Sequence, residues 1–336
     1  MCSDPIRWQA MNVTSSLHRL LTRAARLSCR RIGSAGATAE TLARHWRNVF
    51  QDGGVPEPKE SSEILIAHAL GAKTFRGLAR RLARSPVSED QLKRIEKMAQ
   101  ERLKRVPIQY IIGEWDFLDL TLQMRPPVFI PRPETEELVG LVLADCPGLR
   151  QSPEPRILEV GCGSGAVSLA LLRNVPQARV LAIDKTEAAV NLTRDNAERL
   201  NLQHQIQILQ QDILSDPAEH LLALGPVDIL VSNPPYIFTE DLSSLDPEIL
   251  RYEDRAALDG GPDGMDVMKA ILRLAPLLLN PGGSVFLEGD PRHPDMVEEW
   301  LKNHPELQLQ LLNVVKDFCS KARFIHLQRR DGPSSS

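Results

Sequence analysis

Hydrophobic residues follow two regimes along this chain. Between Glu40 and about Arg105 they recur three and four residues apart: Ala43, Trp46, Val49 and Phe50, then Ile64, Leu65, Ala67, Ala69 and Leu70, then Leu92, Ile95, Met98 and Leu103. That spacing predicts three helices, each with an apolar stripe, broken at Gly53-Gly54-Val55-Pro56 and at Ser85-Pro86. Single stripes bury only against one another, so a small all-α bundle is expected. From Arg156 onward the apolar residues come as short runs instead: 157–160, 180–183, 206–209, 227–232, 284–288, 309–315 and 323–328. Helical stretches separate most of these runs. Alternation of this kind predicts α/β architecture with a mostly parallel, doubly wound sheet. Between the two regimes, Trp115 to Met124 alternates around a turn and predicts a short hairpin. A proline-rich stretch follows, Pro126 to Pro133. Pro133 suits the first position of a helix, and the acids Glu134, Glu136 and Glu137 suit its positive end. No internal repeat is visible.

The 336 residues leave room for one large α/β domain and a smaller one. Apolar content of 42% and charged content of 25% are those of an ordinary globular protein. No apolar run approaches ~18 residues, so a membrane span is not expected. The net charge of −4 conceals an asymmetry. Residues 1–36 carry Arg7, Arg19, Arg23, Arg26, Arg30 and Arg31 against one acid, Asp4. This basic, Ser-containing leader places Leu17, Leu20, Leu21 and Leu27 roughly on one side, which resembles a mitochondrial transit peptide. The remaining body is correspondingly more acidic, which argues against a polyanion as main partner. The five cysteines form no Cys-x-x-Cys pair and the eight histidines no ligand spacing, so no structural metal is expected.

The first run of the second regime ends in Gly161-Cys162-Gly163-Ser164-Gly165-Ala166. A strand feeding a glycine-rich turn and then a helix lets a ligand approach the main chain, and the helix start offers unpaired N–H groups. Asp184 ends the next strand, where a carboxylate can accept from ribose hydroxyls. The loop satisfies both the dinucleotide pattern G-x-G-x-x-G/A and the G-x-G-x-G pattern of S-adenosylmethionine enzymes, so it does not choose between them. After the third strand, Asp212 could accept from an adenine amine and Ile213 pack on the ring; a plain polar strand end reads equally well. Cys162 is expected to contribute backbone only.

The fourth strand stops at Asn233-Pro234-Pro235-Tyr236. Two prolines cannot donate to a ladder and fix φ, so the chain stiffens there. An Asn and an aromatic ring are thus held at the carboxyl end of a strand, where open α/β sheets bind ligands. The Asn carbonyl can accept from an NH2 group and the ring can stack on a planar one.

Pro107-Ile108-Gln109-Tyr110-Ile111-Ile112-Gly113-Glu114-Trp115-Asp116-Phe117, then Phe129-Ile130-Pro131-Arg132-Pro133-Glu134-Thr135-Glu136, the glycine loop and Ser232-Asn233-Pro234-Pro235-Tyr236 occur in this order. Over residues 40–330 the chain resembles the release factor glutamine methyltransferases (the HemK/PrmC family), and with its basic leader the mitochondrial members. The Asn-Pro-Pro-Tyr turn is shared with adenine N6-methyltransferases; the Pro-Arg-Pro-Glu-Thr-Glu segment joined to a helical domain is the more specific mark.

The resemblance implies a seven-stranded S-adenosylmethionine-dependent methyltransferase (Rossmann-like) sheet with its last strand antiparallel, a small N-terminal all-α domain and a connecting hairpin. It implies N5-methylation of the glutamine in the Gly-Gly-Gln motif of a class I peptide chain release factor, a reaction of translation termination, in the mitochondrial matrix. S-adenosylmethionine would be held by Glu159, Gly161, Cys162, Gly163, Ser164, Gly165, Asp184, Asp212, Ile213 and Asn233. The glutamine would be bound by Asn233, Pro234, Pro235, Tyr236 and Arg132, with Asn233, Pro234 and Tyr236 catalytic; Arg132 reads equally as the residue that opens a helix. Ile213 departs from relatives that carry a bulky aromatic there, and Glu288-Gly289-Asp290 has no role from sequence. The expected divisions are a leader over 1–36, a substrate-docking helical domain over 37–106, hairpin and connector over 107–135, the methyltransferase domain over 136–330 and a tail over 331–336. A monomer is expected. The competing readings are an adenine N6-methyltransferase gripping a flipped base in the same clamp, a non-catalytic protein retaining the donor fold, and a dinucleotide oxidoreductase.

Overall fold

The computed structural model describes residues 37–78, 85–215 and 219–330. The leader and the tail lie outside the described residues. The chain divides into two compact units, Met1–Gly113 and Glu114–Ser336.

In the first unit, α1 (Ala39–Asp52), α2 (Pro58–Ala69), α3 (Glu89–Leu103) and the short α4 (Ile108–Ile112) bury the expected stripes. Leu42, Trp46, Phe50, Leu65, Ile66 and Ile95 are essentially inaccessible. The third helix starts three residues before the apolar pattern does. Ser88 accounts for this: its hydroxyl accepts from the Gln91 N–H at 3.2 Å, and Gln91 Oε1 accepts from the Ser88 N–H at 2.9 Å. This reciprocal capping box satisfies two N–H groups that the helix cannot pair internally. α1 starts in the same way on Thr38 and Thr41.

The second unit opens with the predicted hairpin, β1 (Glu114–Phe117) and β2 (Leu120–Gln123), followed by α5 (Pro133–Asp145). The remaining elements alternate: β3 (Arg156–Val160), α6 (Ala166–Asn174), β4 (Arg179–Asp184), α7 (Glu187–Arg199), β5 (Ile206–Gln210), α8 (Glu219–Ala223), β6 (Val227–Ser232), α9 (Pro247–Tyr252), α10 (Asp266–Leu278), β7 (Leu279–Glu288), α11 (His293–Lys302), β8 (Leu309–Lys316) and β9 (Ala322–Arg329). The seven-stranded sheet has the order β5-β4-β3-β6-β7-β9-β8. All neighbours run parallel except the pairs that β9 makes with β7 and β8. The expected seven-stranded sheet with an antiparallel last strand is therefore present. β7 begins before the sequence pattern does because Val227 pairs with Leu279 and Ile229 with Ser284, so Asn280 to Gly283 bulge out between.

Strands covered on both faces should be apolar, and the centres of β6 (229–231) and β7 (285–287) are. Leu230, Val285 and Leu287 pack against Met268, Ile271, Leu272 and Ala275 of α10, all at 0% exposure. The strand order reverses between β3 and β6, which are neighbours although two strands, β4 and β5, separate them in sequence. At such a switch point the loops leave in opposite directions and open a crevice beyond the strands' carboxyl ends.

Candidate active site

A cleft of about 1180 Å³, counting the solvent space at its mouth, lies at that switch point. The sequence-predicted residues Glu159, Gly161, Cys162, Gly163, Ser164, Asp184, Asp212, Ile213, Asn233 and Pro235 line it. Gly165, Pro234, Tyr236 and Arg132 do not.

The loop between β3 and α6 is bent by Gly161, Gly163 and Gly165, whose φ values are 76°, 54° and 81°. Only glycine adopts this region freely. A side chain at residue 165 would also stand 2.9 Å from Thr193 Cγ2, whereas at residue 163 it would meet open space. The loop is fastened from below. Gly161 and Cys162 N–H donate to Ile183 O at 2.8 and 3.1 Å, and Asn196 Nδ2 donates to Ser164 O at 2.9 Å. Asn196 also accepts from Gln123 N–H at 2.7 Å, which ties the hairpin to the same loop.

Asp184 Oδ2 accepts from Gly163 N–H at 3.0 Å, and Oδ1 accepts from the Thr186 N–H and hydroxyl at 2.9 and 3.0 Å. A carboxylate has about four acceptor positions. Asp184 is therefore both a brace for the loop and an acceptor with capacity left on Oδ2. Glu159 is turned to the start of α6, where Ser168 donates to it from both its N–H (3.0 Å) and its hydroxyl. Burial pushes the Glu159 carboxyl up to about 8; the Ser168 bonds oppose this and the nearby Asp184 charge adds to it. Burial and the same two carboxylates raise the Cys162 thiol well above its ordinary value, and Thr193 Oγ1 donates to its sulfur at 3.4 Å. A protonated, covered thiol is not a nucleophile. Asp212 Oδ1 accepts from Leu214 N–H at 3.0 Å, and Ile213 packs against the main core beside it.

Asn233 stands at the end of β6, across the cleft from Asp184. Its Nδ2 donates to Thr135 Oγ1 at 3.0 Å, in the first turn of α5. With that end of the carboxamide engaged, Oδ1 is the end available to a ligand. Pro234 is buried, and the turn is backed by a second glycine cluster that the sequence reading did not single out. Ile237 N–H donates to Leu258 O at 3.0 Å, and Gly260 N–H to Ile237 O at 2.9 Å. A Cβ on Gly260 would lie 2.7 Å from Pro235 O, and one on Gly264 would lie 2.5 Å from Tyr236 O. Gly260 and Gly264, close together in the sequence, are the signal for this approach of two backbones.

Tyr236 does not turn its hydroxyl to the cleft. Arg323 Nη1 donates to it and it donates to Glu288 Oε1, both at 3.4 Å. Burial, then the Glu288 charge, push the phenol far up, so it stays protonated. Arg132 Nη2 donates to Glu253 Oε1 at 2.6 Å and its guanidinium sits 4.8 Å from the Phe129 ring centre. Thr135, the 254–267 segment and Glu288 are the site features that motif reasoning missed. In the sequence Thr135 reads as part of a helix start and Glu288 as a strand end.

Residues 41–113 match the family model described as the PrmC N-terminal domain, and residues 143–250 that of the methyltransferase small domain. The human MTRF1L release factor glutamine methyltransferase is 52% identical over 301 residues, covering 88% of this chain and 89% of that protein. The chain belongs to the release factor glutamine methyltransferase family. A bacterial member of the family, from Deinococcus radiodurans, is 34% identical over 83% of this chain and 94% of its own length. A solved release-factor-specific protein-(glutamine-N5) methyltransferase from Alicyclobacillus acidocaldarius is 26% identical, with a TM-score of 0.38 over 60% of this chain and 94% of that one. Among the described residues no helix is long and apolar enough to cross a membrane.

Proposed function

We propose that this chain transfers a methyl group from S-adenosylmethionine to the side-chain nitrogen of the glutamine in the Gly-Gly-Gln motif of a class I peptide chain release factor, in the mitochondrial matrix. The observation that carries the reading is the Asn233 carboxamide. It is held on a diproline turn with Nδ2 bound to Thr135, at the edge of the cleft that the glycine loop and Asp184 also line. The family's donor suits this cleft: positive-φ glycines leave its floor without side chains, Asp184 keeps an acceptor position, and Ile213 offers an apolar wall.

The donor supplies an electrophilic methyl on a sulfonium. The protein's part is to present a nitrogen to it. A glutamine amide nitrogen is a poor nucleophile because its lone pair is delocalised into the carbonyl. Asn233 Oδ1 and the Pro234 carbonyl accept its two hydrogens and point its lone pair at the methyl. As positive charge grows on nitrogen, the same two oxygens stabilise it, each by roughly 3–4 kcal/mol if they match oxyanion-hole donors in strength. Pro235 keeps their spacing fixed. Tyr236, bound to Glu288 and Arg323, anchors the turn from behind. Its phenol keeps its proton and so offers no base; the methylated nitrogen, acidified by its positive charge, sheds one hydrogen to solvent at the cleft mouth.

An adenine N6-methyltransferase would use the same turn, and the family membership and the acidic body favour the glutamine reading. Labelled donor offered to a purified mitochondrial class I release factor, to its Gln-substituted version and to DNA decides between them. Label is expected only in the unsubstituted protein. Label in DNA, and none in the Gln-containing factor, would reverse the assignment.

A further inference from the structure

Behind the Asn233 turn lies a chain of hydrogen bonds with one direction. Arginine can only donate, so Arg323 Nη1 donates to the Tyr236 oxygen and the Tyr236 hydrogen goes to Glu288. From the other side, Asn233 Nδ2 donates to Thr135 Oγ1, which leaves the Thr135 hydrogen to be placed. Glu288 is 1% exposed, and its Oε2 is buried with no partner at hydrogen-bond geometry. Thr135 is among the groups that hold the Glu288 carboxyl down against its burial. A buried acceptor with an unfilled lone pair is the natural end of both arms.

We propose that Glu288 and Thr135 are positioning residues that select which end of the Asn233 carboxamide faces the cleft. The Glu288 carboxylate takes the Thr135 hydrogen. Thr135 Oγ1 must then accept, only the NH2 end of Asn233 can satisfy it, and Oδ1 is turned to the substrate. With Glu288 protonated the direction reverses. The acid donates to Thr135 Oγ1, the Thr135 hydrogen seeks an acceptor, and the Asn233 amide turns over to offer Oδ1 inward. An NH2 group would then confront the NH2 of the glutamine, and neither could accept. The consequence for catalysis rests on the function proposed above; the orientation of Asn233 does not.

The groups around Glu288 set where the reversal occurs. Burial raises its carboxyl to about 7, and Glu134 at the start of α5 adds to the rise; Thr135, Arg323 and Tyr236 oppose it. Arg323 is itself shared with Asp317, whose Oδ2 accepts from its Nε at 2.9 Å. The reversal therefore falls near neutral pH, with the productive orientation on the alkaline side.

The full chain labelled with 15N-asparagine tests this without any substrate. The Asn233 side-chain amide resonances, assigned by their loss in Asn233→Ala, are followed from pH 5.5 to 8.5. They are expected to titrate with a midpoint near 7, to stop titrating in Thr135→Val, and to titrate again in Thr135→Ser. In methyl-transfer assays kcat should rise on the same midpoint. Thr135→Val should lose about tenfold in kcat with the KM for the donor within about twofold, and Thr135→Ser should recover most of it. Glu288→Gln should abolish the acid limb. If that variant fails to fold, the wild-type titration and the two Thr135 variants decide alone. Resonances indifferent to pH, or an acid limb unchanged in Thr135→Val, would overturn the inference. A titrating Asn233 in a protein that methylates no glutamine would uphold it and sink the proposed function instead.

Discussion

Arg132 and Glu253, 121 residues apart, are joined by a 2.6 Å ion pair in which the acid is 1% exposed and the guanidinium 29%. The second oxygen of Glu253 accepts from Ile130 N–H at 3.2 Å, so one carboxylate holds both the connector backbone and the residue that opens α5. This pair fixes where Thr135 stands, and through it Asn233.

The pair gives Arg132 a structural alternative to ligand binding, and the two roles separate by measurement. Arg132→Ala leaves a buried carboxylate without its cation, which typically costs about 3–5 kcal/mol. Urea denaturation should show a midpoint lowered accordingly. Arg132→Lys should recover only part of this, because an ammonium does not reproduce the planar fork. An unchanged midpoint with a raised KM would instead make Arg132 a direct substrate or donor contact.

Gly163 and Gly165 lie two residues apart at positive φ but differ in what surrounds them. An alanine at 163 would carry only the left-handed backbone strain, about 1–2 kcal/mol. At 165 the added Cβ would also press on Thr193 and Leu169, at 2.9 and 3.1 Å. Gly165→Ala should therefore lower the thermal midpoint more than Gly163→Ala. Gly163→Ala should weaken donor binding by calorimetry while leaving the fold close to wild type. Equal losses in both stabilities would mean that the Thr193 contact gives way freely.

Asn233→Ala removes one acceptor and leaves the donor cleft otherwise intact. Turnover should fall at least ~100-fold while donor affinity is largely kept. A variant with near-normal turnover would show that the glutamine is oriented by other groups.

The parts of this molecule visible in the sequence are those that repeat a period or break one. The stripe of Trp46 and Phe50, the runs that became β3 to β9, the three loop glycines and the diproline stop each constrain the local backbone. The parts that stayed hidden depend on partners far along the chain. Nothing near Thr135 announces Asn233, 98 residues on, and nothing near Arg132 announces Glu253. Tyr236 illustrates the same limit. An aromatic next to a clamp invites stacking, yet its environment is set by Arg323 and Glu288, which arrive on β9 and at the end of β7. The cost of burying Glu288 is likewise a property of the closed sheet and not of any local pattern.

Two buried acids make the stability of the second unit depend on pH in a direction opposite to that of an ordinary salt-bridged protein. Burial raises Glu159 to about 8 and Glu288 to about 7, both above the 4.5 of an exposed side chain. Between about pH 5 and 7 the folded state therefore holds protons at both positions that the unfolded chain has released. Stability falls as pH rises through this window, because the unfolded state binds fewer protons, and the fall levels off above about 8. Each group contributes at most about 1.4 kcal/mol per pH unit. Glu159→Gln removes one of the two and keeps an oxygen for Ser168 N–H and hydroxyl to donate to. Its denaturation midpoint should exceed that of the wild type at pH 8 and approach it at pH 5. A wild-type stability that climbs from pH 5 to 8 would mean that Glu159 is charged in the folded protein and that the Ser168 bonds outweigh its burial.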